Sequence, residues 1–154
     1  MKQELLMKVA IMLLSLIVVV IAYRLTLFSQ GYTNEVLSIL LFDVDILRVS
    51  TKGENEILIR VNLSNPSPKD VNIASIIYDF YYEDDLVSQR YIDLSAEPLV
   101  IKKQSNLNDE TSVRIGKIQL HEGMRIHVNV RVTVVTAIFG LTARRTEADY
   151  IVDY

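Results

Sequence analysis

From Val9 to Tyr23 the chain reads VAIMLLSLIVVVIAY, fifteen residues without a charge, and the apolar character continues through RLTLF to Phe28. Arg24 is the sole interruption. Twenty residues at a rise of about 1.5 Å span the roughly 30 Å hydrocarbon core of a bilayer. No polar stripe breaks the run, so it does not suit a helix lying half-buried on a soluble core. Val9, Ile11, Leu13, Leu16, Val19 and Ile21 supply the lipid-facing body of the expected span. Tyr23 suits the interface, and Arg24 can extend to the headgroups.

A cleaved signal peptide is the competing reading. Lys2 and Lys8 form a short basic leader, and Val20 and Ala22 have the spacing of a small-residue cleavage site. The apolar residues beyond that site favour an uncleaved anchor. Lys2 and Lys8 precede the span and only Arg24 closely follows it. The positive-inside rule therefore places residues 1–8 in the cytoplasm and everything after the 9–28 anchor outside it, at the cell membrane.

Residues 29–35, SQGYTNE, read as a polar linker. Beyond them strand signals dominate. ILLFDVDILRV (Ile39–Val49) is a first strand. In EILIRVNLS, Ile57, Ile59, Val61 and Leu63 share one parity, and Leu58, Arg60, Asn62 and Ser64 the other. NPSP ends that strand, because proline donates nothing to a ladder. VNIASIIYDFYY restarts it, with a parity change at Ala74-Ser75 that predicts a bulge. Glu83-Asp84-Asp85 makes a tight turn into LVSQRYIDL. SAEP turns the chain again before a short LVIKK, QSNLNDE is a polar loop, and TSVRIGKIQL and MRIHVNVRVTVVTAIF are further strands. Gly140 then permits a hairpin into LTARRTEADYIVDY. About seven short antiparallel strands over residues 36–154 predict an all-β sandwich of immunoglobulin or fibronectin III type behind one transmembrane helix.

Composition removes several function classes. There is no cysteine, which excludes disulfides, thiolate zinc sites, cysteine nucleophiles and lipidation through cysteine. Such a composition fits a bacterial or archaeal surface protein. The net charge of -3 gives no general attraction to nucleic acid. No phosphate loop or nucleophile elbow occurs, so no enzyme activity, catalytic residue or cofactor is expected. His121 and His127 lack evident further ligands for a metal. Asp43 and Asp45 share a strand face but fall short of the oxygens that calcium needs. Asn62-Leu63-Ser64 is a glycosylation sequon, with Asn62 on the outward parity. His127, Asn129, Arg131 and Thr133 form a polar strand face opposite Thr142–Glu147. Together with Arg144, they are the candidate surface for an envelope or surface-protein partner.

One resemblance adds to this reading. The Asn65-Pro66 turn resembles the late embryogenesis abundant group 2 family, also called the water-stress and hypersensitive-response (WHy) domain. So does the strand carrying Val71, Ile73, Ile76 and Tyr78. The later segment with Val130, Val132, Val134, Thr136, Phe139 and Gly140 completes the likeness. It covers about Val36 to Tyr154. The chain departs from the family's pattern at Glu83-Asp84-Asp85, where glycine is frequent, and at Asn-Pro-Ser in place of Asn-Pro-Asn. The resemblance implies a seven-stranded sandwich, roles in stress protection or at the cell surface, and no catalytic residues. The expectation is a single-pass, membrane-anchored, non-catalytic binding or structural module. Two alternatives stay open: a subunit of a surface assembly, such as a filament or archaellum stator-like protein, and a secreted stress protectant released by cleavage.

Overall fold

In the computed structural model the apolar N-terminal sequence forms one long helix, α1 (Lys2–Leu41). The structure describes residues 2–116 and 118–153; the side chains of 2–6, 9 and 10 are outside that description, so those of Lys2 and Val9 are not placed. The chain divides into two units, Met1–Asn34 and Glu35–Tyr154.

In the first unit, Ile11 to Phe28 are exposed on every side of the helix. This stretch belongs to the one helix, among the described residues, that is long and apolar enough to cross a membrane. Its hydroxyls are satisfied within the helix: Ser15 Oγ donates to the Ile11 carbonyl at 2.9 Å, and Thr26 Oγ1 to that of Ala22 at 2.9 Å. A span in lipid requires that internal satisfaction. Residues 29–35 are also helical, where the sequence reads as a linker. So are Val36–Leu41, which moves the start of the first strand from Ile39 to Asp43. No proline interrupts this stretch, and Thr33 Oγ1 bonds back to the Ser29 carbonyl at 2.9 Å. With helix formers at Glu35, Leu37, Leu40 and Leu41, the helix has no local reason to end sooner.

In the second unit, eight strands follow: β1 (Asp43–Thr51), β2 (Glu56–Asn65), β3 (Val71–Tyr82), β4 (Asp85–Asp93), β5 (Leu99–Ile101), β6 (Ser105–Arg114), β7 (Arg125–Thr136) and β8 (Gly140–Ile151). They make two antiparallel sheets. One has the order β1-β2-β6, the other β4-β3-β7-β8, with β5 pairing to the stretch of β3 that β4 leaves free. The apolar parities meet in a single core. Ile57, Ile59, Val61 and Leu63 of β2 face Ile73, Ile76, Tyr78 and Phe80 of β3 and Ile126, Val128, Val130 and Val132 of β7. Each such side chain, fully buried, contributes about 1.5–3 kcal/mol.

The count is eight strands, not seven, because the short LVIKK segment contributes one of its own. The three residues of β5 pair with Val71, Asn72 and Ile73. QSNLNDE is not a loop: Ser105 to Glu110 form the first half of β6, registered against β2 from Asn65↔Ser105 to Arg60↔Glu110. Asparagine, aspartate and glutamate are poor strand formers alone. Asn106, Asn108 and Glu110 lie on the solvated side of a sheet whose centre, β2, is strongly apolar, while Asp109 points inward and accepts from the Tyr78 hydroxyl. The expected bulge is present, with β3 shifting register against β7 between Ile73 and Ser75. The β3–β4 turn is a two-residue loop, Glu83-Asp84, with both residues at positive φ (49° and 69°). That is the twist a two-residue hairpin demands, met here without glycine. The β7–β8 hairpin has a three-residue loop, Ala137-Ile138-Phe139, closed by Gly140 at φ 67°. Gly140 takes the left-handed position that such a loop needs.

Candidate functional site

The Asn-Pro turn is held from inside. Asn65 is fully buried, and its Nδ2 lies within reach of three carbonyls: Lys69 at 2.9 Å, Ile101 at 3.1 Å and Lys102 at 3.1 Å. Its Oδ1 accepts from Ser67 Oγ at 2.6 Å and from the Ser67 amide at 3.3 Å. One side chain thus fastens the β2–β3 turn to the β5–β6 turn. Pro66 fixes the backbone that aims Ser67 back at it. Val71, Ile73, Ile76 and Tyr78 are buried in the core. Thr136 Oγ1 accepts from the Phe139 amide at 3.1 Å and donates to the Gly140 carbonyl at 3.3 Å, which braces the β7–β8 loop. Most of the residues that carry the family resemblance are therefore core or turn staples, whereas the Phe139 side chain is exposed at the tip of the β7–β8 loop.

The polar face named in the sequence lies on the outside of the larger sheet. Register places Gln89, Asp79, Asn129 and Glu147 in one row across β4, β3, β7 and β8, and Tyr81, His127 and Asp149 in the next. Gln89 Nε2 donates to Asp79 Oδ1 at 2.6 Å, and Arg131 Nη2 reaches Asp79 Oδ2 at 3.4 Å. Asn129 Nδ2 donates to Glu147 Oε1 at 3.2 Å. His127 Nδ1 is 3.0 Å from Asp149 Oδ1, and Nε2 is 3.8 Å from Glu147. The Tyr81 ring leans on His127 with centroids 6.1 Å apart. The face is therefore charge-balanced, where the β7 sequence alone reads as basic and polar. Asp79 is only 2% exposed despite its outward parity. Two buried polar atoms beside it, Asn129 Oδ1 and Arg131 Nε, have no hydrogen-bond partner among the described residues.

Arg144 is not part of this face. Its guanidinium donates to the Ile39 carbonyl, while its neighbour Arg145 stands in register with Arg131. Of the acidic members, Glu147 ends the segment read as opposite to β7, whereas Asp79 and Asp149 are not read there, because strand register, which pairs them with β7, is not written in any one segment. Their shared odd-number parity was the available signal.

Both histidines meet in one place that the sequence did not suggest. A cleft of about 700 Å³ at the end of this sheet is lined by Tyr81, Glu83, Asp84, His121, His127 and Asp149, among others. Among the described residues no group of three or more His, Asp or Glu side chains is arranged to hold a metal ion. Asp43 and Asp45 lie on the edge strand β1, in register with Ser64 and Asn62. Asn62 is half-exposed on the central strand β2, between Asp45 and Asn108. In the core, burial first and the Asp109 charge second push the Tyr78 hydroxyl's pKa upward. At the surface, the Lys103 amide and then the Lys102 side chain hold the Asp70 carboxyl below its ordinary range.

No family model matches the chain, and no curated protein sequence matches it. Solved structures do. One is the solution structure of a protein described as late embryogenesis abundant, with 12% identity over 72% of this chain and 71% of the other and a TM-score of 0.54. A protein from Archaeoglobus fulgidus matches at 14% identity over 73% of this chain and 96% of its own, with a TM-score of 0.44. An Arabidopsis thaliana protein matches at 14% identity over 71% of this chain and 78% of its own, with a TM-score of 0.42. The first of these likenesses supports a shared fold.

Proposed function

We propose that this chain is a single-pass membrane protein whose β-sandwich works outside the cytoplasm as a non-catalytic binding or structural module of WHy-like, immunoglobulin-related type. The observation that carries the reading is the helix from Ile11 to Phe28, apolar and exposed all round, ahead of a separately packed sandwich. Lipid is the solvent in which such a surface is stable. The helix fixes the sandwich at the bilayer, and the polar face of the larger sheet meets a protein or envelope partner. Unpartnered buried atoms at Asn129 and Arg131 support a polar contact there, since buried polar groups are normally satisfied. The fold shared with a late embryogenesis abundant protein supports a stress-related setting.

The test is the intact mass of the protein from the membrane fraction of its host, together with protease accessibility in sealed vesicles of known orientation. The reading expects a full-length mass and a sandwich cleaved only from the outside. A mass lacking roughly the first 22 residues, at the small-residue cleavage spacing, would make the sandwich a secreted domain. Protection from external protease would place it in the cytoplasm and end the proposal.

A further inference from the structure

The two ends of the sandwich differ in chemistry. The end away from Glu35 carries acidic turns, with Glu54, Glu83, Asp84 and Glu122. The end at Glu35 gathers the β2–β3 turn, the β5–β6 turn and the β7–β8 hairpin. There, apolar side chains face solvent: Leu141 is 69% exposed, Leu40 65%, Phe139 45% and Ile138 44%. Lys102 and Lys103 stand on the neighbouring turn, with the Lys102 side chain 73% exposed and its ammonium paired with Asp70 at 3.1 Å. An apolar tip flanked by lysines has the composition of an interfacial lipid contact.

This tip is fastened to the point where the chain enters the sandwich. The Glu35 carboxylate, itself buried, accepts from the Ala137 amide at 3.3 Å and pairs with the Lys69 ammonium. Glu35 follows Phe28, the last residue of the apolar run, by seven helical positions. Seven residues, even fully extended, reach about 25 Å, so the chain itself tethers the hairpin within that distance of the end of the apolar run.

We propose that the β7–β8 hairpin, with Ile138 and Phe139 at its tip and Leu40 and Leu141 beside it, is a second membrane contact. It seats in the headgroup–acyl boundary of the bilayer that α1 crosses. The proposal rests on the anchored reading above. A second copy of the chain fits the patch less well, because a symmetric contact would bring the same lysines face to face.

The chain has no tryptophan, so one introduced indole reports one position. Full-length protein carrying Ile138→Trp, Glu54→Trp or Leu16→Trp is reconstituted in vesicles of phosphatidylcholine and phosphatidylglycerol, with and without brominated acyl chains. The expected result is blue-shifted, bromine-quenched emission for Ile138→Trp and Leu16→Trp, and red-shifted, unquenched emission for Glu54→Trp. Quenching of Leu16→Trp without quenching of Ile138→Trp overturns the contact and leaves the anchor standing. A blue shift of Ile138→Trp that is not quenched and grows with protein density also overturns it, in favour of a second copy. Loss of quenching at Leu16→Trp as well removes the anchor itself and the contact with it.

Discussion

The hydroxyl of Tyr78, at the middle of β3, donates to Asp109 Oδ2 of β6 at 2.8 Å and so bonds one sheet to the other across the buried edge of the core. Tyr78→Phe keeps the ring and removes this bond. The expected loss is about 1.5–3 kcal/mol in urea denaturation at neutral pH, the range for a bond to a charged acceptor. Because the folded-state pKa of Tyr78 is raised, its contribution is fully present below the ordinary tyrosine value near 10 and is lost as pH rises beyond it. The stability gap between wild type and Tyr78→Phe should therefore narrow in alkaline denaturation series. A constant gap would refute the assignment.

Asn65 holds two turns with one amide. Asn65→Ala leaves the Ile101 and Lys102 carbonyls without that donor and should cost about 2–4 kcal/mol. Asn65→Asp preserves size but presents oxygen to three carbonyls, so it should be no better than alanine. If aspartate restores wild-type stability by thermal unfolding, the donor role is wrong.

Glu35 is the acceptor that ties the chain entry to the β7–β8 loop. Glu35→Ala should destabilise the sandwich by about 1–2 kcal/mol, a modest figure because Lys69 is half-exposed and screened. The local signature is faster hydrogen exchange at the Ala137 amide. Unchanged exchange there would show that the bond does not hold the loop.

Asp70 governs part of the acid limb. Its carboxylate accepts from the Lys103 amide at 2.8 Å and from Lys102 Nζ at 3.1 Å, and both contacts lower its pKa. A depressed folded-state value means stabilisation present above the ordinary aspartate range and lost as pH falls through the folded value. Side-chain NMR titration should find Asp70 with a midpoint below that of an ordinary aspartate, and Asp70→Asn should flatten the acid-side loss of stability. Asp93, held down by Ser95, should also titrate low.

Much of this architecture was legible in the chain, for reasons of period. Unbroken apolarity gave the helix from Val9 to Phe28. Alternation gave β2, β3 and β7, and a parity break gave the bulge near Ala74. Segments decided by their neighbours escaped. The polar first half of β6 is a strand because β2 lies beside it. Residues 29–41 stay helical because nothing local stops them. The candidate face was half-readable: His127, Asn129 and Arg131 follow from the parity of β7, whereas Asp79 and Asp149 reach them only through register between strands. Asn65 was visible as a turn marker, but its role as a staple depends on carbonyls in a turn far along the sequence.

The order of strands also sets a timetable. At the centre of the larger sheet, Ile76 of β3 waits for Val132 of β7, and in the smaller sheet Ile59 of β2 waits for Thr111 of β6. Pairings so distant in sequence close slowly, because a long loop must be ordered before any contact repays it. The N-terminal helix, by contrast, needs only local bonds and leaves the ribosome first. The larger sheet therefore lacks its central β3–β7 pairing until β7 is synthesised. On the membrane-anchored reading proposed above, such a chain would reach the translocation machinery still unfolded, and its core would assemble on the far side.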